Sequence, residues 1–263
     1  LIAFNGLASI ALAAGPFPDG KLEAAVRAAL HVDEKTELND EKLKSLFVLD
    51  VIDSGVENLA GLERCPNLAL IRLTKGKVTD LAPLKGLATL QSLDLGGHQI
   101  ADLAPIGALS KLQYLNLADN QVSNLEPVSA LKDLNALDIS NNRVTDLGPI
   151  AKLPRLASLY AGKNQVKDAG PVASLTRLAT LNLSDNQVED ITPLVKLGGL
   201  DLVVLERNKL TELAPLVEAA KAGPNGPGRT SFFRVYLSGN PLSDAAKNQQ
   251  IPALRSNGVK IEF

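Results

Sequence analysis

Leucines recur along this chain at a fixed interval. Leu90 opens "LQSLDLGGHQIADLAPIGALSK", Leu112 opens "LQYLNLADNQVSNLEPVSALKD" and Leu134 opens "LNALDISNNRVTDLGPIAKLPR". Leu156, Leu178 and Leu200 open three later units, and Leu68 and Leu46 two earlier ones, every start falling in step with the 22-residue period. A ninth unit begins at Phe232, ten residues later than the period requires. Apolar and polar residues alternate through each "L-x-L", which is the side-chain period of a strand. Leu93 and Leu95 are therefore expected to point inward, and Ser92 and Asp94 outward. The "D-L-x-P-L-x-x-L" half of each unit does not continue as a strand. Its proline lacks a backbone donor and suits the first turn of a short helix. Its apolar residues, three apart, return to the core.

Each unit thus predicts a strand, a turn, and a short helical or 3-10 return. One unit cannot bury its apolar face alone, but a stack can. About seven apolar side chains per unit are buried this way, at roughly 1.5–3 kcal/mol apiece, and ordering of the chain offsets most of that. The predicted fold is α/β: a right-handed solenoid, curved like a horseshoe, with a parallel sheet on the concave side and short returns on the convex side.

The full pattern is L-x-x-L-x-L-x-x-N-x-V-x-D-L-x-P-L-x-x-L-x-x. By it the sequence resembles the leucine-rich repeats of the internalin-like, 22-residue bacterial class, over residues 46–244 and into both flanks. The resemblance implies an extracellular or surface role.

Asparagine recurs just after the strand, at Asn120, Asn142, Asn164, Asn186, Asn208 and Asn240. The chain turns sharply there and leaves backbone donors and acceptors inside. An asparagine satisfies both kinds, and a column of them makes a ladder between neighbouring units. Toward the N-terminus the slot passes to His98, then Gly76 and Ser54. His98 lies within seven residues of Ser92 and Asp94, which suggests a catalytic triad. The strand alternation divides them: the serine and aspartate face out and the histidine faces the inner turn, as a ladder substitute.

The ends need closing. "FPDGKLEAAVRAAL", with Asp19 as its cap, reads as a helix, and "LNDEKLKSL" as a second. "SDAAKNQQIPALRSNGVKIEF" reads as a helix, a turn at Gly258 and a final strand. The expected organisation is a helical N-terminal cap over 15–45, nine repeats over 46–244 and a C-terminal cap over 245–263. Residues 1–14 are apolar, end in small residues and carry Ala11-Leu12-Ala13, so they read as the remnant of a signal peptide. Two irregularities stand out. Ala161 and Ala169 replace larger residues in one repeat. A Gly/Pro-rich insertion over about 222–231 interrupts another, with capping the first expectation and ligand contact the second.

Composition narrows the function. Lysine and arginine number 27 against 29 acids, so no basic excess points to nucleic acid. The apolar N-terminal run is too short to span a membrane, and the mature chain is not expected to insert in one. Cys65, the one cysteine, occupies an inward leucine slot and reads as a core thiol. His31 follows the first helix, where a helix C-terminus favours it. No histidine pair has metal spacing and no phosphate loop follows a strand, so neither metal nor cofactor is expected. Asp94 and Asp138, roughly 10 Å apart by strand spacing, suit paired-carboxylate chemistry by distance alone. No cleft or apolar pocket is foreseen to raise one of them, so no enzyme is expected.

What remains is a binding face. The outward slots include Arg72, Asp94, Tyr114, Asn116, Asp138, Tyr160, Asn182, Val204 and Tyr236, and all three tyrosines of the chain lie among them. Exposed tyrosine, apolar with a polar tip, is a typical interface anchor. The expected function is non-catalytic binding of a protein partner on the concave face of an exported protein. The alternatives are an intracellular regulatory scaffold of the phosphatase-regulator type, and a carbohydrate-binding face.

Overall fold

The computed structural model describes residues 15–221 and 234–263. The signal-peptide reading of residues 1–14, the insertion and the start of the ninth unit at Phe232 lie outside them.

Ten strands form one sheet in sequence order, every neighbouring pair parallel. They are β1 (Val48–Val51), β2 (Leu70–Leu73), β3 (Ser92–Asp94), β4 (Tyr114–Asn116), β5 (Ala136–Asp138), β6 (Ser158–Tyr160), β7 (Thr180–Asn182), β8 (Leu202–Val204), β9 (Arg234–Tyr236) and β10 (Lys260–Glu262). From β1 to β8 the register advances by 22 residues per step, pairing Leu49 with Ile71, Leu93 with Leu115 and Leu137 with Leu159. Neighbouring strands in such a sheet normally need a long crossover. Here each crossover is the rest of the repeat.

The returns are 3-10 turns, such as Ala104–Ala108, Glu126–Ala130 and Gly148–Lys152, each with proline in its first two positions. Short 3-10 turns suit a 22-residue unit, since little chain is left after the strand and the inner turn. Leu93, Leu95, Ile106 and their counterparts are fully buried and make one continuous core along the stack. Ala161 and Ala169 are buried in their slots, and β5, β6 and β7 stay in register around them.

At the N-terminal end α1 (Gly20–Leu30) packs against β1. Asp19 Oδ1 accepts from the Lys21 and Leu22 amides, which caps the helix. Its Oδ2 accepts from the Glu57 and Asn58 amides and so ties the helix to the first repeat. His31 ends α1 in the left-handed conformation, φ 55°. The short α2 (Asp40–Lys44), capped by Asn39, leads into β1. The return after β8 is a true helix, α3 (Ala214–Lys221). Beyond β9 a π-helical turn, Ala246–Gln250, continues into α4 (Ile251–Ser256) and then β10. Cys65 is buried in the core, and burial pushes its thiol up to about 12.

Candidate binding face

The inner turn sets the geometry of everything outward of it. The residue before each ladder position is held at positive φ: Asp53, Lys75, Gly97, Asp119, Asn141, Lys163, Asp185, Arg207 and Gly239. That conformation lets the chain reverse within three residues, and seven of the nine repeats adopt it without glycine.

Each ladder asparagine then serves two repeats. Asn142 Oδ1 accepts from the Val122 amide at 2.8 Å, and Nδ2 donates to the Leu117 carbonyl at 2.8 Å, both in the preceding repeat. It also donates to Ile139 and Ser140 in its own. Asn120, Asn164, Asn186 and Asn208 repeat this pattern, all of them buried. Asn240, half-buried, does the same across the insertion, to Leu210 and Leu205.

His98 occupies the same slot and makes the same two cross-repeat bonds. Its Nδ1 accepts from the Val78 amide at 3.1 Å and its Nε2 donates to the Leu73 carbonyl at 2.6 Å. The two partners fix the neutral tautomer with hydrogen on Nε2. Burial holds its pKa below the usual histidine value. The larger ring needs Gly76: a Cβ there would run into the Val56 carbonyl and lie 2.6 Å from the ring of His98. Ser92 and Asp94 face the opposite side of the sheet, half-buried.

The first two repeats carry no asparagine in the slot, and ion pairs cross their junction instead. Arg72 is bidentate to Asp50, at 2.6 and 2.5 Å, Lys75 meets Asp53 at 2.8 Å, and Lys77 meets Glu57 at 3.0 Å.

On the outward face, Tyr114 and Tyr160 are the exposed tyrosines, at 39% and 36%. Tyr236 and Val204 are half-buried. Arg72 is engaged by Asp50. Asp94, Asn116, Asp138 and Asn182 line up across β3, β4, β5 and β7 and have a structural duty that sequence reasoning missed. In each, Oδ1 accepts from the amide two residues on, at Gly96, Ala118, Ser140 and Ser184, and bends the strand into the inner turn. The same spacing recurs on the return side: Asp102, Asn124 and Asp146 each cap a 3-10 turn through the amide two residues on. The recurrence of Asp or Asn two residues ahead of a turn was the available signal. The face has an apolar end, where Phe47, Val48 and Ile52, in and beside β1, are exposed.

Asp94 and Asp138 sit on strands separated only by β4, with Asn116 between them in register. Among the described residues no group of three His, Cys, Asp or Glu side chains is placed to hold a metal. No helix among them is long and apolar enough to cross a membrane.

A parallel sheet advancing one strand per repeat, an asparagine ladder at the inner turn and a row of solvent-facing side chains define a leucine-rich-repeat solenoid. A family model described as Leucine Rich repeats (2 copies) matches residues 88–133, 110–152 and 154–196. The crystal structure of internalin C2 from Listeria monocytogenes is 31% identical, with a TM-score of 0.78 over 85% of this chain and 95% of that one. The chain belongs to the internalin-like leucine-rich-repeat proteins. A leucine-rich-repeat protein of Leptospira interrogans is 24% identical, with a TM-score of 0.75 over 84% of this chain and 56% of that one. The plant peptide hormone receptor RGFR1, solved in complex with RGF2, is 17% identical, with a TM-score of 0.57 over 73% of this chain and 30% of its own. Comparison with curated proteins gave no match. The fold is usually non-catalytic, and no enzyme family was found.

Proposed function

We propose that the chain is a non-catalytic module that holds a protein partner on its concave sheet face. The observation that carries this reading is the pair Tyr114 and Tyr160, large amphipathic rings exposed on a sheet face that no described element covers. Rings of this kind are common interface anchors because they bury much area and lose little rotamer freedom. The anchoring set is Arg72, Asp94, Tyr114, Asn116, Asp138, Tyr160, Asn182, Val204 and Tyr236, with His98 and the asparagines as scaffold. Residues 46–244 are the binding unit, and 15–45 and 245–263 its caps. Export by the segment 1–14 would place the face outside the cytoplasm.

The test is partner capture by immobilised protein, repeated with Tyr114→Ala, Tyr160→Ala and Tyr236→Ala combined. A convex variant, Lys111→Ala with Lys132→Ala, is the control. Loss with the tyrosine variant and retention with the convex one supports the reading. The reverse result refutes it.

A further inference from the structure

The concave face is unevenly charged. Arg72 is held by Asp50, and the outward positions of β3 through β7 contain no lysine or arginine, only neutral residues and the carboxylates of Asp94 and Asp138. These two are not equivalent. Arg72 lies close enough to Asp94 to feel its charge. Asp138 has its Oδ1 occupied by the Ser140 amide, and its Oδ2 takes no hydrogen bond or ion pair among the described residues. It is a carboxylate with one free oxygen, pointing to the side where a partner would lie.

Its surroundings are specific. On the strand before it stands Tyr114 and on the strand after it Tyr160, with Ala136 opposite Tyr114 in register and Asp138 opposite Tyr160. The small Ala136 keeps the space over β5 low. The two tyrosines are rooted two strand spacings apart across the sheet and two residues apart along it, about 12 Å in all. A cation lying over β5 midway between them is about 6 Å from each root, at the limit of the range of about 6 Å over which a ring face attracts a cation. Burial, then the carboxylates of Asp94 and Asp138, push the Tyr114 hydroxyl up. The same negative field attracts a positive group.

We propose that this notch, walled by Tyr114 and Tyr160 and floored by Asp138, receives the guanidinium of an arginine presented by an extended segment of the partner. The inference rests on the concave face being the binding face, and adds the chemistry of what it binds. A planar guanidinium can lie against tyrosine rings while its edge donates to the free Oδ2, which a compact ammonium does less well.

The test uses a probe of defined chemistry, the peptide acetyl-Gly-Ser-Arg-Ser-Gly-amide, titrated into the full chain and followed by NMR. Its counterpart carries citrulline, which keeps the shape and loses the charge. The discriminating variant is Asp138→Asn. Asn116 and Asn182 already cap the same turn from the same slot, so this variant keeps the fold. The expected result is that ring signals of Tyr114 and Tyr160 and amides of 136–140 shift with the arginine peptide. The affinity should then fall roughly tenfold with citrulline and with Asp138→Asn, and less than about threefold with Asp94→Asn. Absent shifts, shifts centred elsewhere, or equal binding of the citrulline peptide overturn the proposal. A captured partner lost with the tyrosine variant but indifferent to Asp138→Asn overturns this proposal alone. One indifferent to both overturns the concave-face reading as well.

Discussion

Replacing His98 by asparagine should change how stability depends on pH. The His98 ring accepts from the Val78 amide at Nδ1 and donates to the Leu73 carbonyl at Nε2, and it is buried. A second proton on the ring would set two N–H groups against each other at Val78 and place a charge in the core. The folded pKa is therefore depressed, burial being the main cause. An unfolded histidine titrates near 6.5. Above that value neither state carries the proton and the term is absent. Below it, the unfolded chain takes a proton that the native ring refuses, so stability falls as pH falls. The slope is at most about 1.4 kcal/mol per pH unit and lasts until the native ring protonates. At about pH 5 the ceiling is about 2 kcal/mol. Asparagine carries no titrating group, and Asn120 shows that it makes both cross-repeat bonds from this slot, to the Ile100 amide and the Leu95 carbonyl. The assay is urea unfolding of both proteins from about pH 7.5 to about pH 5. The expected outcome is a stability difference that shifts in favour of His98→Asn on acidification, by at most about 2 kcal/mol. Every other titrating group is common to both proteins and cancels. A difference that stays constant across that range refutes the argument, as does one that shifts toward the wild type.

Three other outcomes follow from the same geometry. Asn142→Ala leaves the Val122 amide wholly unpaired, whereas Leu117 and Ile139 keep a second donor in Asn120 and Asn164; one orphaned buried donor plus the weakened carbonyls should cost about 2–4 kcal/mol in chemical denaturation. Lys163→Asn keeps the left-handed turn at φ 54° with a residue better suited to it, and should raise stability by about 0.5–1 kcal/mol in the same assay. Salt should loosen the junction of the first two repeats selectively, since ion pairs cross it where the ladder has no asparagine. Amides of β1 and β2 are expected to exchange faster in about 0.5 M salt while those of β5 and β6 hold, as measured by hydrogen exchange; uniform acceleration would contradict this.

The fold was legible in the sequence because one period governs strand, turn and return. Leu93 and Leu95 could only alternate inward, and the proline of each return could only stop a strand. The inward role of His98 followed from its place in the asparagine column. The outward face was harder to read. Strand alternation put Asp94, Asn116, Asp138 and Asn182 on the surface, where a polar residue suggests a ligand contact. It did not disclose that each bonds its own chain two residues on, because that bond depends on the turn the backbone takes afterwards. Exposure at Tyr114 and Tyr160 against partial cover at Tyr236 depends likewise on neighbours across the sheet, which a linear pattern does not weigh.

The asparagine ladder has a direction. Each of its side chains reaches back to the repeat before it and none reaches forward. A repeat leaving the ribosome therefore needs only the next 22 residues to have its inner turn locked, and owes nothing to the C-terminal half. Growth by addition to a finished edge, in the order of synthesis, is built into where the amide groups of the asparagines point.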